Sequence, residues 1–246
     1  MQLIRDAKGG VEMKNMFAFK KWFRLAMLMS SLLACGSALA QAAGEVVHLS
    51  GTLSVQRADG AILVLGQKSE VRTGDVLTTQ KDSYAQINFA DGSSVTMRPF
   101  TQLKIDAFNY VQEKPEADNA FFRLLKGGMR TVTGLVGKRG NQDAYRIGTA
   151  TATIGIRGSV GDTVSCEPSC AGVMPGGDKL TPGTHHQTLS GSYVMNTGTQ
   201  SVIIKEGSSG FSNGADIKIS VGAIGGGAVN LNIPIGGAGL KGAGCK

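Results

Sequence analysis

The stretch Ala85 to Pro99, AQINFADGSSVTMRP, constrains the fold more than any other part of the chain, because its alternation suits only one hairpin register. With a two-residue turn at Asp91-Gly92, Phe89 would oppose Ser94 and Asn88 would oppose Val95, so both faces of the ribbon would mix polar and apolar groups. A three-residue loop, Ala90-Asp91-Gly92, with Gly92 in the left-handed conformation of a bulge, pairs Phe89 with Ser93, Ile87 with Val95 and Ala85 with Met97. Ala85, Ile87, Phe89, Val95 and Met97 then share one face, and Gln86, Asn88, Thr96 and Arg98 share the other. Pro99 ends the second strand, because it cannot donate to a ladder. The hairpin is therefore expected to be half-buried and structural, with no chemistry of its own.

The first forty residues read as an export signal. Lys14, Lys20, Lys21 and Arg24 precede an apolar run from Leu25 to Ala34, and Ala38-Leu39-Ala40 supplies a small-x-small cleavage site. The run is short and broken by Ser30, Ser31 and Gly36, whereas a membrane span needs about 20 apolar residues, so an uncleaved N-terminal anchor is the lesser alternative. Met13 fits a signal start better than Met1. Leu32 to Gly36 resembles a lipobox with Cys35 as the acylated residue, but Leu33 is uncommon at its position there, which favours cleavage after Ala40. Removing residues 1–40 takes away six cations and two acids, so the formal charge of +7 falls to +3 and a nucleic-acid reading loses its basis. Cys166, Cys170 and Cys245 remain. In an exported chain Cys166 and Cys170 are expected to form a disulfide in a loop, since two cysteines alone do not complete a zinc shell. Cys245 is left odd.

From Glu45 onward, short β-type runs alternate with Gly, Asp and Ser, and no long stretch has helical periodicity. Ala58-Asp59-Gly60 repeats the loop of the central hairpin, with Leu53 and Val55 before it and Leu63 and Leu65 after it. Gly74-Asp75 reads as a turn entering a strand, with Asp75 as a turn cap and not a catalytic carboxylate. Leu103, Ile105 and Ala107 continue the alternation, and Gln112 to Asn119 is a charged surface loop. Ala120 to Lys126, Gly127-Gly128 and Met129 to Val132 suggest a further hairpin. Thr133 to Asp143 is basic and Gly-spaced, but it matches no dinucleotide or P-loop pattern and reads as loop punctuation. The segment from Cys166 through the Gly- and Pro-rich Val173 to Gly183 reads as a surface insertion. His185 and His186 are expected there as solvent-exposed loop residues whose side chains point apart, a poor arrangement for sharing a metal ion. His48 carries less weight still. Ile217, Ile219 and Val221 alternate, as do Val229, Leu231 and Ile233, suggesting a terminal hairpin; Gly236 to Lys246 has too few apolar side chains to order itself.

The ordered set Gly74-Asp75-Val76-Leu77-Thr78-Thr79, Phe89-Ala90-Asp91-Gly92-Ser93, Leu124-Leu125-Lys126-Gly127-Gly128 and Ala152 to Ser159, ATIGIRGS, resembles the FecR domain family. Ser159 stands where the family usually has Thr. The resemblance covers roughly 46–211, with 212–246 as a Gly-rich C-terminal extension. It implies an all-β module of short strands and hairpins, β-sandwich or β-solenoid-like, with Gly74, Asp75, Asp91, Gly92, Ser93, Gly127, Gly155, Arg157, Gly158 and Ser159 as structural motif residues. Arg157 is expected to end a buried strand and pair with a carboxylate such as Asp75 or Asp91, since a buried guanidinium needs a partner.

The resemblance implies a binding and signalling role in the envelope of a Gram-negative bacterium. The expectation is a stand-alone exported module, periplasmic or elsewhere in the envelope, that binds a protein partner such as a receptor or membrane sensor. Recognition of an extended peptide by strand addition at a sheet edge would suit that task. Two alternatives stand beside it: a structural or polysaccharide-associated envelope protein, and a regulator of sigma-factor signalling. For sugar binding the only Trp, Trp22, lies in the leader. No nucleophile-base-acid pattern or ligand cluster stands out, so neither an enzyme, a metal nor a cofactor is expected.

Overall fold

The computed structural model describes residues 42–141 and 143–224. The expected export signal, Cys35, the 229–233 alternation, the Gly-rich tail and Cys245 lie outside the described residues.

The chain is all-β and builds a two-layer sandwich. Its strands are β1 (Ala42–Ser50), β2 (Leu53–Gln56), β3 (Ile62–Leu65), β4 (Glu70–Arg72), β5 (Val76–Thr79), β6 (Tyr84–Phe89), β7 (Ser94–Met97), β8 (Gln102–Asn109), β9 (Asn119–Val132), β10 (Tyr145–Gly148), β11 (Thr153–Ile156), β12 (Val160–Cys166), β13 (Gly183–Ser190), β14 (Ser192–Asn196), β15 (Ser201–Lys205), β16 (Ser208–Ser212) and β17 (Ile217–Val221). The first layer runs β4-β1-β6-β7-β9-β12-β13-β16-β17. The second runs β3-β2-β5-β8-β9-β10-β11-β14-β15. From β10 onward, successive hairpins are laid alternately on the second and first layers. The pairing of β9 with β10 is parallel.

Strand β9 belongs to both layers and is not the hairpin that Gly127-Gly128 suggests. Its first half pairs with β8 and β10, and its second half with β7 and β12. Gly127 has φ +90°, and a Cβ there would lie 2.5 Å from the Thr101 Cα. A glycine is required by both conformation and space, and the chain uses it to bend from one layer to the other.

The central hairpin has the register that its alternation predicts: Ala85 faces Met97, Ile87 faces Val95, and Phe89 N–H donates to the Ser93 carbonyl at 2.9 Å. Gly92 has φ +80°. Its five apolar side chains are all buried, and burying each is worth about 1.5–3 kcal/mol for side chains of Val, Ile and Phe size. Phe89 meets Phe122 at 4.9 Å between ring centroids and Phe108 at 5.2 Å, and Phe122 meets Tyr145 at 5.4 Å. These contacts carry the core from one layer into the other. The hairpin's second face departs from expectation: Thr96 and Arg98 are buried too, because another part of the chain lies over them.

Candidate functional site

The motif residues sort into turn anchors. Asp75 accepts hydrogen bonds from the Arg72 backbone N–H and from the Arg57 guanidinium, closing the turn into β5. Gly74, with φ +91°, completes that turn. Asp91 Oδ1 accepts from Ser93 N–H at 2.9 Å and from Ser93 Oγ at 2.6 Å, while Oδ2 accepts from Val136 N–H at 3.2 Å. The Asp91 carbonyl takes Leu135 N–H at 2.9 Å. The hairpin loop is thus seated on Gly134 to Val136, a role that the sequence reading of 133–143 as punctuation misses. Ser159 Oγ donates to the Ser192 carbonyl at 2.6 Å and accepts Ser192 N–H at 3.0 Å, tying the start of β12 to β14. The hydroxyl makes both bonds. Gly158 has φ +68°, and Gly155 packs at ordinary distance against Val194.

Arg157 is placed otherwise than expected. Its side chain is 45% exposed and lies 3.9 Å from the exposed Asp143. Asp75 is committed to Arg57 and Asp91 to Ser93 and Val136, so neither expected carboxylate pairs with it. The other basic residue of interest, Arg139, donates to both Asp118 oxygens and to the carbonyls of Val111 and Gln112, pinning the charged 112–119 loop.

Over the outer face of the first layer lies segment 167–182. Cys166 and Cys170 form a disulfide, and Cys170, Val173 and Met174 pack with Val164 as a small second core. Beneath it Asp162, 1% exposed, takes two hydrogen bonds from Arg130, at 2.9 Å from Nε and 3.0 Å from Nη2. The two histidines of β13 are buried, contrary to the loop expectation, although they do point to opposite sides. His185 stacks on Phe211 at 4.7 Å and its Nε2 lies 2.8 Å from the Thr181 carbonyl, under the covering segment. His186 is fully buried inside the sandwich, with Nδ1 3.0 Å from Thr163 Oγ1 and its ring 4.1 Å from that of Tyr193. Desolvation holds its pKa down to about 3, so it is neutral at physiological pH. Among the described residues no group of three or more His, Cys, Asp or Glu is arranged to hold a metal ion.

The motif turns stand in this order inside one sandwich. Residues 75–169 match the FecR protein family. Among solved structures the chain is similar to a candidate anti-sigma factor from Parabacteroides distasonis ATCC 8503, in two crystal structures at 1.65 and 2.50 Å resolution, each with 9% identity and a TM-score of 0.44. Each match covers 60% of this chain and 59% of the other. A cell surface anchoring domain matches over 25% of this chain and 82% of its own, with 26% identity and a TM-score of 0.25. No curated protein matches the sequence.

The matched residues 75–169 contain the central hairpin, β9 and the Arg130–Asp162 pair, and β3 lies before them. Strand β3 is an edge of the second layer. Edge strands β4, β15 and β17 each carry charge, in Glu70 and Arg72, Lys205 and Lys218, whereas β3 is Ile62-Leu63-Val64-Leu65. Ile62 is 73% and Val64 76% exposed. Arg57 N–H donates to the Ala61 carbonyl at the hairpin end, so by antiparallel alternation the backbone groups of Ile62 and Val64 point away from β2, to the open edge. A cleft of about 310 Å³ has Tyr110 and Glu113 as its ionisable side chains, and one of about 390 Å³ is lined by Thr149, Thr151, Thr153 and Asn196 among others. Neither sets a nucleophile beside a base. Among the described residues no helix is long and apolar enough to cross a membrane.

Proposed function

We propose that this chain is a non-catalytic signalling module of FecR type, exported to the bacterial envelope, which binds an extended segment of a protein partner along the β3 edge. The observation that carries the reading is the uncharged, apolar β3 edge with outward backbone groups at Ile62 and Val64. Proteins ordinarily blunt such edges with charge, proline or cover, because unpaired N–H and C=O groups invite another strand. Strand addition would supply main-chain hydrogen bonds for affinity, and the exposed Ile62 and Val64 would supply the side-chain selection. The leader-like first forty residues and the Cys166–Cys170 disulfide support an oxidising compartment. The family match supports a protein partner in signalling, and regulation of a sigma factor through that partner is the finer form of the same proposal.

The test is affinity capture from envelope fractions with the purified protein and with the Ile62→Lys/Val64→Lys variant. A discrete receptor or membrane sensor recovered with the first and reduced at least about tenfold with the second supports the reading. Equal recovery with both places the partner on another surface. Both positions are exposed, so the variant should keep its stability within about 0.5 kcal/mol.

A further inference from the structure

On the outer face of the second layer, strand β11 lies between two walls. Its side chains Ile154 and Ile156 are in the core, so Thr153 and Gly155 face out. Arg157 follows just past the strand, 45% exposed. Across the ladder Gly155 faces Arg146 of β10 on one side and Val194 of β14 on the other, and Val194 faces Ile203 of β15. A Cβ on Gly155 would meet nothing nearer than Val194 at 3.9 Å, so bare backbone forms the floor of a trough along β11. Gly148 of β10 is different: a Cβ there would meet the Phe121 ring at 3.1 Å, so that ring lies over it and thickens the β10 wall. Thr153, Arg146, Arg157 and Ile203 are all exposed, which leaves the trough open to solvent. At its Thr153 end it runs into the cleft of about 390 Å³, whose lining includes Thr149, Thr151, Thr153, Asn196 and Thr197 and no charged side chain.

Cations gather along one side. Among the described residues Arg146 has no carboxylate within ion-pair distance, and its guanidinium stands 5.2 Å from the Phe121 ring centroid. Arg123, 5.9 Å from the same ring, shares Asp106 with Lys104, at 2.8 and 3.1 Å. Arg157 has the exposed Asp143 at 3.9 Å. These are surface pairs, held by little free energy and open to exchange for another anion.

We propose that this trough binds an acidic polysaccharide, a pyranose chain that carries carboxylates. Arg146 and Arg157 offer guanidinium forks to the carboxylates. The threonines and Asn196 of the adjoining cleft offer donors and acceptors to ring hydroxyls, and Val194, Ile203 and Phe121 offer apolar contact to the C–H faces of the rings. The outer residues from Thr153 to Arg157 span about 13 Å at about 3.3 Å per residue, room for a short oligosaccharide. An acidic peptide suits the trough less well. The backbone groups of β10, β11 and β14 are paired with one another, so a peptide lying there gains no main-chain hydrogen bonds. A flat bilayer surface does not reach a floor set between two walls. The trough lies on the far side of β9 from the β3 edge, and the two readings can fail separately.

The experiment follows the amide resonances of Thr153, Gly155 and Val194 and the side-chain Nε–Hε resonance of Arg146 in the ¹⁵N-labelled purified protein, disulfide intact, at constant ionic strength. Tetragalacturonate is titrated beside neutral maltotetraose and a blocked peptide of four glutamates. Tetragalacturonate should give saturable shifts at these four residues with half-saturation at about 1 mM or below. Both comparison ligands should bind at least about tenfold more weakly. Arg146→Gln removes a fork and Gly155→Glu sets a like charge on the floor; each should weaken tetragalacturonate at least about tenfold, with the resonances of β6 and β7 unchanged. Lys218→Gln, which removes one charge from the edge of the first layer, should leave binding within about twofold. The proposal is overturned by the absence of a saturable shift in the parent protein, by equal or tighter binding of either comparison ligand, by undiminished binding in the folded Arg146→Gln and Gly155→Glu variants, or by as large a loss in Lys218→Gln as in Arg146→Gln.

Discussion

A methyl group at Gly134 would lie 2.3 Å from the Ser93 backbone nitrogen and 2.5 Å from the Asp91 carbonyl. Backbone cannot yield as a flexible side chain can, so Gly134→Ala should unseat the hairpin loop and cost about 3 kcal/mol, at the upper end for overpacking. Gly155→Ala is the counterpart, because its new Cβ would make only 3.9 Å contacts with Val194, and its effect should stay within about 0.5 kcal/mol. Denaturant melts of the two variants check the pair. His186 gives a pH prediction. Its folded pKa of about 3 lies below the usual 6.5, so the neutral ring's contribution is intact above pH 6.5 and is lost as pH falls from there toward 3. Within that window the loss approaches about 1.4 kcal/mol per pH unit, and His185, also lowered by burial, acts in the same direction. A melting temperature flat from pH 6.5 down to 4 would contradict the buried neutral ring. At this scale the sequence was legible where one turn decides a role: Asp75 caps its turn as the Gly74-Asp75 pattern predicts, whereas Asp91, read only as a loop residue and a possible partner of Arg157, caps its turn as well. Arg157 and the two histidines were not legible, since their burial depends on which strand lies over them and not on local pattern.

Strand β9 concentrates what local pattern misses. Gly127-Gly128 between two apolar runs has the composition of a turn, and the same composition serves a strand that bends between layers. Only the pairing partners, β8 and β10 on one half and β7 and β12 on the other, distinguish the two. Gly127→Ala meets both φ +90° and a Cβ 2.5 Å from the Thr101 Cα, so it should destabilise by more than about 3 kcal/mol and reduce the yield of soluble protein. A variant that melts like the parent would show that the bend tolerates a side chain. Hairpin registers, by contrast, were readable. The Ala58-Asp59-Gly60 loop sets Val55 against Leu63 and Leu53 against Leu65 as its likeness to the central loop predicts, because turn chemistry and alternation fix register locally. The exposure of Ile62 and Val64 was not readable, since the same residues in an inner strand would be core.

For the whole molecule, alternating hairpins lay strands onto two layers that share one core, and the disulfide-bridged segment adds a second, smaller core on the outside. This arrangement buries one face of the central hairpin in the sandwich and covers the Arg98 end of the other with that segment, so Arg98, read from sequence as a residue of the outer face, becomes buried. Among the described residues β3 is the uncharged edge of that sandwich, and the proposed strand addition takes place there. The most direct test of that account is amide hydrogen exchange in the complex formed with the partner recovered by capture. Slowed exchange at Ile62 and Val64, with little change at the edge strands β4 and β15, is the expected result; unchanged exchange at Ile62 and Val64 in a saturated complex would contradict strand addition at β3.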